Sequence, residues 1–181
     1  GITQEEYDLL SAIAPTVAQS GDYINFGMPW QEITRMIGAA VGKSDEAEAA
    51  IENVETLIAE AREANPQFEG QTIAIGYNYG EARTYGFYTD QDSRARFFTN
   101  LGFVVPEELK EIAGEFFYAD LSAERIDLFD QDVLVFLGLQ FAQGGSEAIE
   151  ADPLISQLQV AQDGRIVFVP TEYDDALQFG T

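Results

Sequence analysis

The sequence predicts an α/β fold, a mostly parallel sheet flanked by helices, preceded by a long helix. Three observations predict it. Residues 29–64 carry helical spacing with one break at Gly42-Lys43. From Gln71 onward, short β-branched apolar runs alternate with helical segments, the pattern of strands joined by helices. Asp132–Leu137 (DVLVFL) is apolar throughout after its first residue, as a strand covered on both faces reads. Together these describe a Rossmann-like lobe behind a helical strut.

The elements follow in order. Thr3-Gln4-Glu5-Glu6 starts a helix with Thr3 as cap, and Tyr7, Leu9, Leu10 and Ile13 form its apolar set. Ala14–Ala18 reads as an edge strand, because Pro15 lacks the donor that a central strand needs. Ile33, Met36, Ile37 and Ala40 mark one helical stripe. Ala47, Ala50, Ile51, Val54, Leu57, Ile58 and Ala61 mark a second, at steps of three and four. Ser44 is an N-cap type, Asp45 and Glu46 suit the positive end of the helix dipole, and Asn65-Pro66 stops the run. At 1.5 Å per residue the second helix spans about 30 Å, long enough to join two bodies.

Thr72–Tyr77 (TIAIGY) is a short strand. Gln91–Leu101 is a helix closed by Gly102, and Phe103–Val105 is a short strand. Pro106 begins a helix that ends before Gly114. Phe116–Tyr118 is a strand, and Ser122 caps a short helix ending near Asp130. After Asp132–Leu137 come a Gly-rich loop, short helices near 146–150 and 153–158, and a turn at Asp163-Gly164. Arg165–Val169 is the last strand. No internal repeat or low-complexity tract interrupts the series.

Composition removes several functions. The chain has 181 residues and is 46% hydrophobic, enough for one core and an appendage. It has no cysteine and no histidine, which removes disulfides, thiolate catalysis, the Ser-His-Asp triad and the commonest transition-metal ligand. A formal charge of −23 argues against nucleic acid and against an electrostatic hold on anionic lipid. The acidity serves either as a solvated surface or as a face for a basic partner. No run of 18 apolar residues exists, so direct membrane insertion by this segment is not expected. The chain has no initiating Met and no signal peptide, and it reads as a piece of something longer.

Arg83, Arg94 and Arg96 crowd into one stretch of a chain with nine basic residues. The same stretch holds Tyr77, Asn78, Tyr79, Tyr85, Phe87 and Tyr88, and it begins where the first strand of the series ends. Ligands of open α/β sheets bind outside the carboxyl ends of strands. Tyr and Arg there offer flat faces, phenol donors and positive charge, which suit an anionic, partly aromatic or amide-rich small molecule. The competing reading is half-buried packing, with the arginines paired to local acids such as Glu81 and Asp92. Arg94 and Arg96 fall on the predicted helix, where arginine is usually solvated, so Arg83 is the preferred ligand residue. Trp30 follows Pro29 at the start of the first strut helix, as a packing staple or as a cleft-lining residue. Asp127, Asp130 and Asp132 lack the Gly and closing Glu of a calcium loop, so no metal site is assigned. Gly144-Gly145 belongs to neither GxGxxG nor GxxxxGKS, and a phosphate cradle is unsupported.

Four segments in order carry a family resemblance: TQEEYDLLSAIAPTVA, PWQEITRMIGAAVGKSDEAEAAI, the unit ending RFFTNLGFVVPEEL, and LSAERIDLFDQDVLVF. Together the chain resembles the iron–siderophore substrate-binding proteins of ABC importers over essentially its whole length. The resemblance implies two α/β lobes bridged by a long helix, with the ligand between them. On that basis residues 1–28 are the tail of an N-terminal lobe, 29–66 the bridging helices and 67–181 the C-terminal lobe. It implies a non-enzymatic receptor with no intrinsic cofactor, a ferric siderophore as ligand and an ABC permease as membrane partner. It also implies a monomer located outside the cytoplasm, periplasmic or a cell-surface lipoprotein in its full-length form. Tyr77 to Tyr88 would face the ligand, with Tyr77, Asn78, Tyr79, Arg83, Tyr85, Tyr88 and Trp30 as the candidate set. Glu124 in LSAERI would match the glutamate that docks on the permease, or else be an ordinary first-turn helix acid. Haem, cobalamin or another metal chelate is the alternative cargo. A carboxylate-based hydrolase and an acidic interaction domain are the alternatives of other classes; no pair of acids is singled out for hydrolysis.

Overall fold

The computed structural model describes residues 2–19, 21–24, 27–80 and 85–173. The chain divides into two compact units, Gly1–Leu57 and Ile58–Thr181, with the division inside its longest helix.

In the first unit, α1 (Gln4–Ser11) opens with a capping box. The Glu6 backbone N–H donates to Thr3 Oγ1 at 3.2 Å, and the Thr3 N–H donates to Glu6 Oε2 at 2.7 Å, so two otherwise orphaned donors are satisfied. The expected edge strand over Ala14–Ala18 is not formed. Pro15 removes one donor, and the backbone donors of Ile13 and Ala14 turn back to the Leu10 carbonyl instead of joining a ladder. Helix α2 (Trp30–Ala40) and α3 (Ser44–Ala64) form the predicted pair with its break at Gly42-Lys43. They approach closely at Gly38, where a Cβ would stand 2.5 Å from Ala47 Cβ and 3.0 Å from the Lys43 carbonyl oxygen. Ala47 and Ile51 are buried, whereas Ile37 and Leu57 of the predicted stripes are exposed. Arg35 ties the two helices at their surface, donating to Glu48 at 2.8 Å and to Glu32 of its own helix at 2.9 Å.

The second unit is built on a five-stranded sheet in the order β3-β2-β1-β4-β5. Its strands are β1 (Ile73–Asn78), β2 (Tyr85–Tyr88), β3 (Tyr118–Leu121), β4 (Val133–Leu137) and β5 (Ile166–Phe168). β1, β4 and β5 are parallel, as predicted. β2 and β3 are antiparallel additions, so the sheet is parallel on one side only. The departure has a local cause. Tyr85–Tyr88, read in sequence as part of a loop, folds back on β1 as a hairpin strand, which needs no crossover helix. Phe103–Val105 contributes only a single bridge, Thr72 to Val104, and the Phe116–Tyr118 strand begins two residues later than expected.

Helices α4 (Ser93–Asn100), α5 (Glu107–Ala113), α6 (Gly145–Glu150), α7 (Pro153–Ser156) and α8 (Gln159–Gln162) complete the unit. The segment after Ser122 is a 3₁₀ run, Ala123–Phe129, kinked at Arg125, and Ser122 stands at its start without donating or accepting a side-chain cap bond. All six residues of β1 are buried. Ile73, Ile75, Phe87, Leu134, Phe136 and Phe129 are among the largest fully enclosed side chains, each stabilising the fold by roughly 1.5–3 kcal/mol.

Candidate functional site

Register separates the tyrosines into two sets. Ile75 pairs with Tyr88 and Tyr77 with Gly86, whereas Gly76 pairs with Phe87 and Asn78 with Tyr85. Paired residues share a face, and neighbours along a strand alternate. Tyr77 and Tyr88 therefore lie on one face, and Asn78, Tyr85 and Phe87 on the other. On β3, Tyr118 pairs with Tyr88 and Asp120 with Gly86, which puts both on the Tyr77 face.

On that face, at the carboxyl end of β1, four rings gather. Tyr77 stands 4.8 Å from both Tyr79 and Tyr88, and Tyr79 stands 5.6 Å from Phe141. Gly86 makes this possible: the Tyr77 ring crosses it, so a Cβ there would fall 2.1 Å from Tyr77 Cζ. The Tyr77 hydroxyl donates to Asp120 Oδ1 at 3.3 Å and approaches the Ala119 carbonyl oxygen at 3.4 Å. Tyr77 and Tyr88 are almost fully enclosed, while Tyr79, Phe141 and Tyr118 are 47%, 49% and 43% exposed. Among the described residues, the exposed rings at this cluster are thus Tyr79, Phe141 and Tyr118, with Tyr77 and Tyr88 enclosed beneath them.

Arg94 closes the cluster. Its guanidinium lies 3.9 Å over the Tyr88 ring centroid, and its Nη1 donates to the Tyr88 hydroxyl at 3.1 Å. Nε and Nη2 each donate to Asp92 at 2.7 Å, and the Asp92 carboxylate also accepts the Arg94 backbone N–H at 2.8 Å as the N-cap of α4. Since Tyr88 accepts from Arg94, its own proton is available to Tyr79, whose hydroxyl lies 3.1 Å away. A chain of contacts therefore runs from buried Asp92 through Arg94 and Tyr88 to the exposed phenol of Tyr79.

The electrostatics keep these groups in one form. Burial pushes the Tyr77 phenol well above its ordinary range, and the charge of Asp120 and its hydrogen bond add to this. Burial does the same at Tyr88; the Arg94 charge pulls it back only in part, and the bond to Tyr79 pushes it up again. Both phenols stay protonated and act as neutral donors. Burial lowers the Arg94 value, but the hydrogen bonds and charge of Asp92 more than reverse this and leave it above the ordinary arginine value. Burial holds Arg96 below its ordinary value, with Asp92 and Asp90 countering.

The sheet brings together Tyr77, Tyr79 and Tyr88 of the sequence-predicted set. Tyr85 is on the opposite face, with its ring 5.8 Å from Phe136 and its hydroxyl donating to buried Asp152 at 2.9 Å. Asn78 is buried on that same face. Arg83 lies outside the described residues. Trp30, partly buried, begins α2 in the other unit, and the Thr34 hydroxyl donates to its carbonyl. Glu124 is exposed in the first turn of the 3₁₀ run. Sequence reasoning left Arg94 to solvent, yet its side chain is only 14% exposed. The signal available in sequence was Asp92 two residues earlier, a cap that also pairs. Phe141 and Asp120 carried no such signal, because only the sheet brings them to the cluster.

Among the described residues no group of three or more acidic side chains is arranged to hold a metal. Asp130 accepts the Val160 N–H at 2.8 Å, and Asp132 accepts the Thr72 N–H and hydroxyl at 2.8 and 3.0 Å, so both serve the fold.

The sequence profile of the family described as periplasmic binding protein matches residues 1–173. The chain belongs to that family. Two structures of PiaA from Streptococcus pneumoniae TIGR4 are similar to this periplasmic binding protein. The one in complex with ferrichrome is 30% identical, with a TM-score of 0.75 over 94% of this chain and 57% of the other. The second, described as an iron uptake ABC transporter substrate-binding protein, is 28% identical, with a TM-score of 0.76 over 98% and 61%. FhuD2 from Staphylococcus aureus with bound ferrioxamine B, at 17% identity, shares the fold, with a TM-score of 0.75 over 98% and 71%. The chain thus spans about 57–61% of the length of PiaA. Among curated proteins none is similar enough in sequence to count as a relative.

Proposed function

We propose that this protein is the substrate-binding component of an ABC importer, capturing a ferric siderophore outside the cytoplasm and delivering it to a membrane permease. The observation that carries the reading is the Tyr79 surface, with its phenol oriented through Tyr88 and Arg94, in a chain 30% identical to a ferrichrome-bound protein. A ferric siderophore surrounds its iron with oxygen atoms on an organic skeleton. Phenol donors meet those oxygens, and aromatic faces cover the skeleton with little loss of side-chain freedom. The iron arrives as cargo inside its chelator, so the protein contributes no metal ligand and performs no catalysis.

In this reading Tyr79 touches the chelate, Tyr77 and Tyr88 hold it in position, and Arg94 joins the set. Arg83 and Trp30 stand as further candidates from the sequence. Exposed Glu124 is the proposed contact with arginines of the permease, a charged contact that governs docking more than folding. Among the described residues no helix is long and apolar enough to cross a membrane.

The test is titration of the intact protein with ferric and iron-free chelators while following Trp30 and tyrosine fluorescence. Saturable quenching by the ferric form, weakened about tenfold in Tyr79→Ala, is the expected result. A folded protein whose fluorescence no ferric chelate changes would sink the reading.

A further inference from the structure

We propose that the open edge of β3 is a docking site for a partner protein, which adds a basic extended segment to the sheet as a further strand. The proposal needs neither the chelate reading nor the Glu124 contact, and it concerns the backbone at the margin of the sheet.

β3 is hydrogen-bonded on one side only, to β2. The Thr89 N–H donates to the Phe117 carbonyl oxygen at 2.9 Å, one step beyond the Tyr88–Tyr118 pair. Hydrogen-bonded and non-hydrogen-bonded pairs alternate along an antiparallel ladder. Ala119 and Leu121 therefore turn their N–H and C=O groups toward β2, while those of Tyr118 and Asp120 point outward. Among the described residues these outward groups meet no hydrogen-bond partner. They form a template on which another strand can pair. Sheet edges are commonly guarded by lysine, proline, a bulge or a covering helix. The β3 segment YADL has no lysine and no proline, and its register with β2 runs without a bulge. Tyr118 and Asp120 are exposed, and Phe116, two residues before the strand, is 67% exposed and adds an apolar anchor.

Charge selects the strand that is admitted. Residues 107–120 hold five acidic side chains and one basic one. That one, Lys110, is bound to Asp90 at 3.0 Å and to Glu107 at 3.6 Å. Glu111, Glu115 and Asp120 are exposed, and no ion pair among the described residues includes them. Asp120 accepts the Tyr77 hydroxyl through Oδ1, which leaves Oδ2 for a further contact. A strand paired with β3 places the side chains opposite Tyr118 and Asp120 on the Tyr77 face, with Cβ atoms about 5 Å apart, so a lysine or arginine there meets the Asp120 carboxylate. A second copy of this chain is the poorer occupant, since it brings the same acids to the edge and each copy has a formal charge of −23. Asp120 thus turns away strands of like charge and admits basic ones.

The test adds capped peptides to the isotope-labelled intact protein and follows affinity and amide exchange by NMR. The probes are a peptide alternating lysine and valine, its glutamate counterpart, and lysine peptides N-methylated at either the lysine or the valine amides. The lysine peptide is expected to bind at least about tenfold more tightly than the glutamate peptide at low salt, less so at high salt, and to slow exchange at the Tyr118 and Asp120 amides. Methylation of the lysine amides, which face β3 in this pairing, is expected to abolish that protection, and methylation of the valine amides to leave it standing. Asp120→Pro removes one outward donor and leaves the ladder to β2 intact; it is expected to lower affinity about tenfold, further than Asp120→Asn, which removes the charge alone. Failure of the lysine peptide to bind folded protein, binding indifferent to which amides are methylated, or protection at Ile166 and Phe168 of β5 instead overturns the proposal. A dimer of the protein alone that protects Tyr118 and Asp120 also overturns it, because the occupant is then a second copy.

Discussion

Alanine at Gly86 tests how tightly the tyrosine cluster is built. A Cβ at this position would lie 2.1, 2.2 and 2.5 Å from Cζ, Oη and Cε2 of Tyr77. Ordinary carbon contacts are about 3.5–4.0 Å, so the ring must retreat by roughly 1.5 Å. A ring free to swing would yield at little cost. This one is held 4.8 Å from Tyr79 on one side and 4.8 Å from Tyr88 on the other, and Tyr88 is pinned beneath Arg94. Overpacking of this kind costs about 1–3 kcal/mol, a fall in Tm of about 2–12 °C for a chain of this size.

The double-mutant cycle isolates the cause. Tyr77→Ala alone costs about 3–5 kcal/mol, as removal of an enclosed aromatic does. In the Tyr77→Ala background the added methyl at residue 86 meets space, so Gly86→Ala costs about 0 kcal/mol and the coupling is about 1–3 kcal/mol. Urea unfolding of the four proteins, read by circular dichroism, supplies the numbers. Equal cost of Gly86→Ala in both backgrounds would refute the argument, because the penalty would then come from the strand and not from the ring.

Other substitutions probe the remaining contacts. Arg94→Lys keeps a charge but loses the fork onto Asp92 and the stack on Tyr88; unfolding is expected to become easier by ~3 kcal/mol, with chelate affinity falling as Tyr79 loses its orientation. Tyr85→Phe removes the hydroxyl that donates to buried Asp152 and is expected to cost ~1–3 kcal/mol by thermal melting, while chelate affinity stays unchanged. Asp132 is held below its ordinary value of 3.8 by the backbone N–H of Thr72, and then by the Thr72 hydroxyl. Its stabilising contribution is present above that ordinary value and is lost as pH falls through the lower folded value, so Asp132→Asn flattens the acid limb of the stability–pH curve below about pH 4. Ile51→Ala, at an enclosed position of α3, is expected to cost ~2–5 kcal/mol by urea unfolding, and a smaller cost indicates that the site collapses.

Periodicity in the sequence reveals the helices and the buried strands, because burial repeats along the chain at the period of the element. Ala47 and Ile51 sit on the predicted stripe, and Val133–Leu137 is the apolar strand that DVLVFL implied. The hairpin strand Tyr85–Tyr88 escaped for a physical reason. YGFY is aromatic on both faces, so it lacks the alternation that marks a half-buried strand, and Gly86 within it weakens the strand signal further. Ser122 shows the same limit at a helix start, since a capping residue type predicts where a turn begins but not whether its hydroxyl is used.

The candidate site was legible in composition and illegible in geometry, and the hairpin explains both. Folding Tyr85–Tyr88 back on β1 assigns alternate tyrosines to opposite faces, so a run that looks like one aromatic loop becomes a surface and a core. Tyr85 goes to the core with Phe129 and Phe136, while Tyr88 goes to the face where Tyr77 and Tyr79 stand. Arg94 follows, because Asp92 caps α4 and holds the guanidinium over Tyr88 with the same carboxylate. Once that pair has formed, the Arg94 charge is matched by Asp92 and no longer stands free toward a ligand. Counting arginines near tyrosines predicts an anion site, but the hydrogen bonds of Arg94 show that its charge is already spent on Asp92.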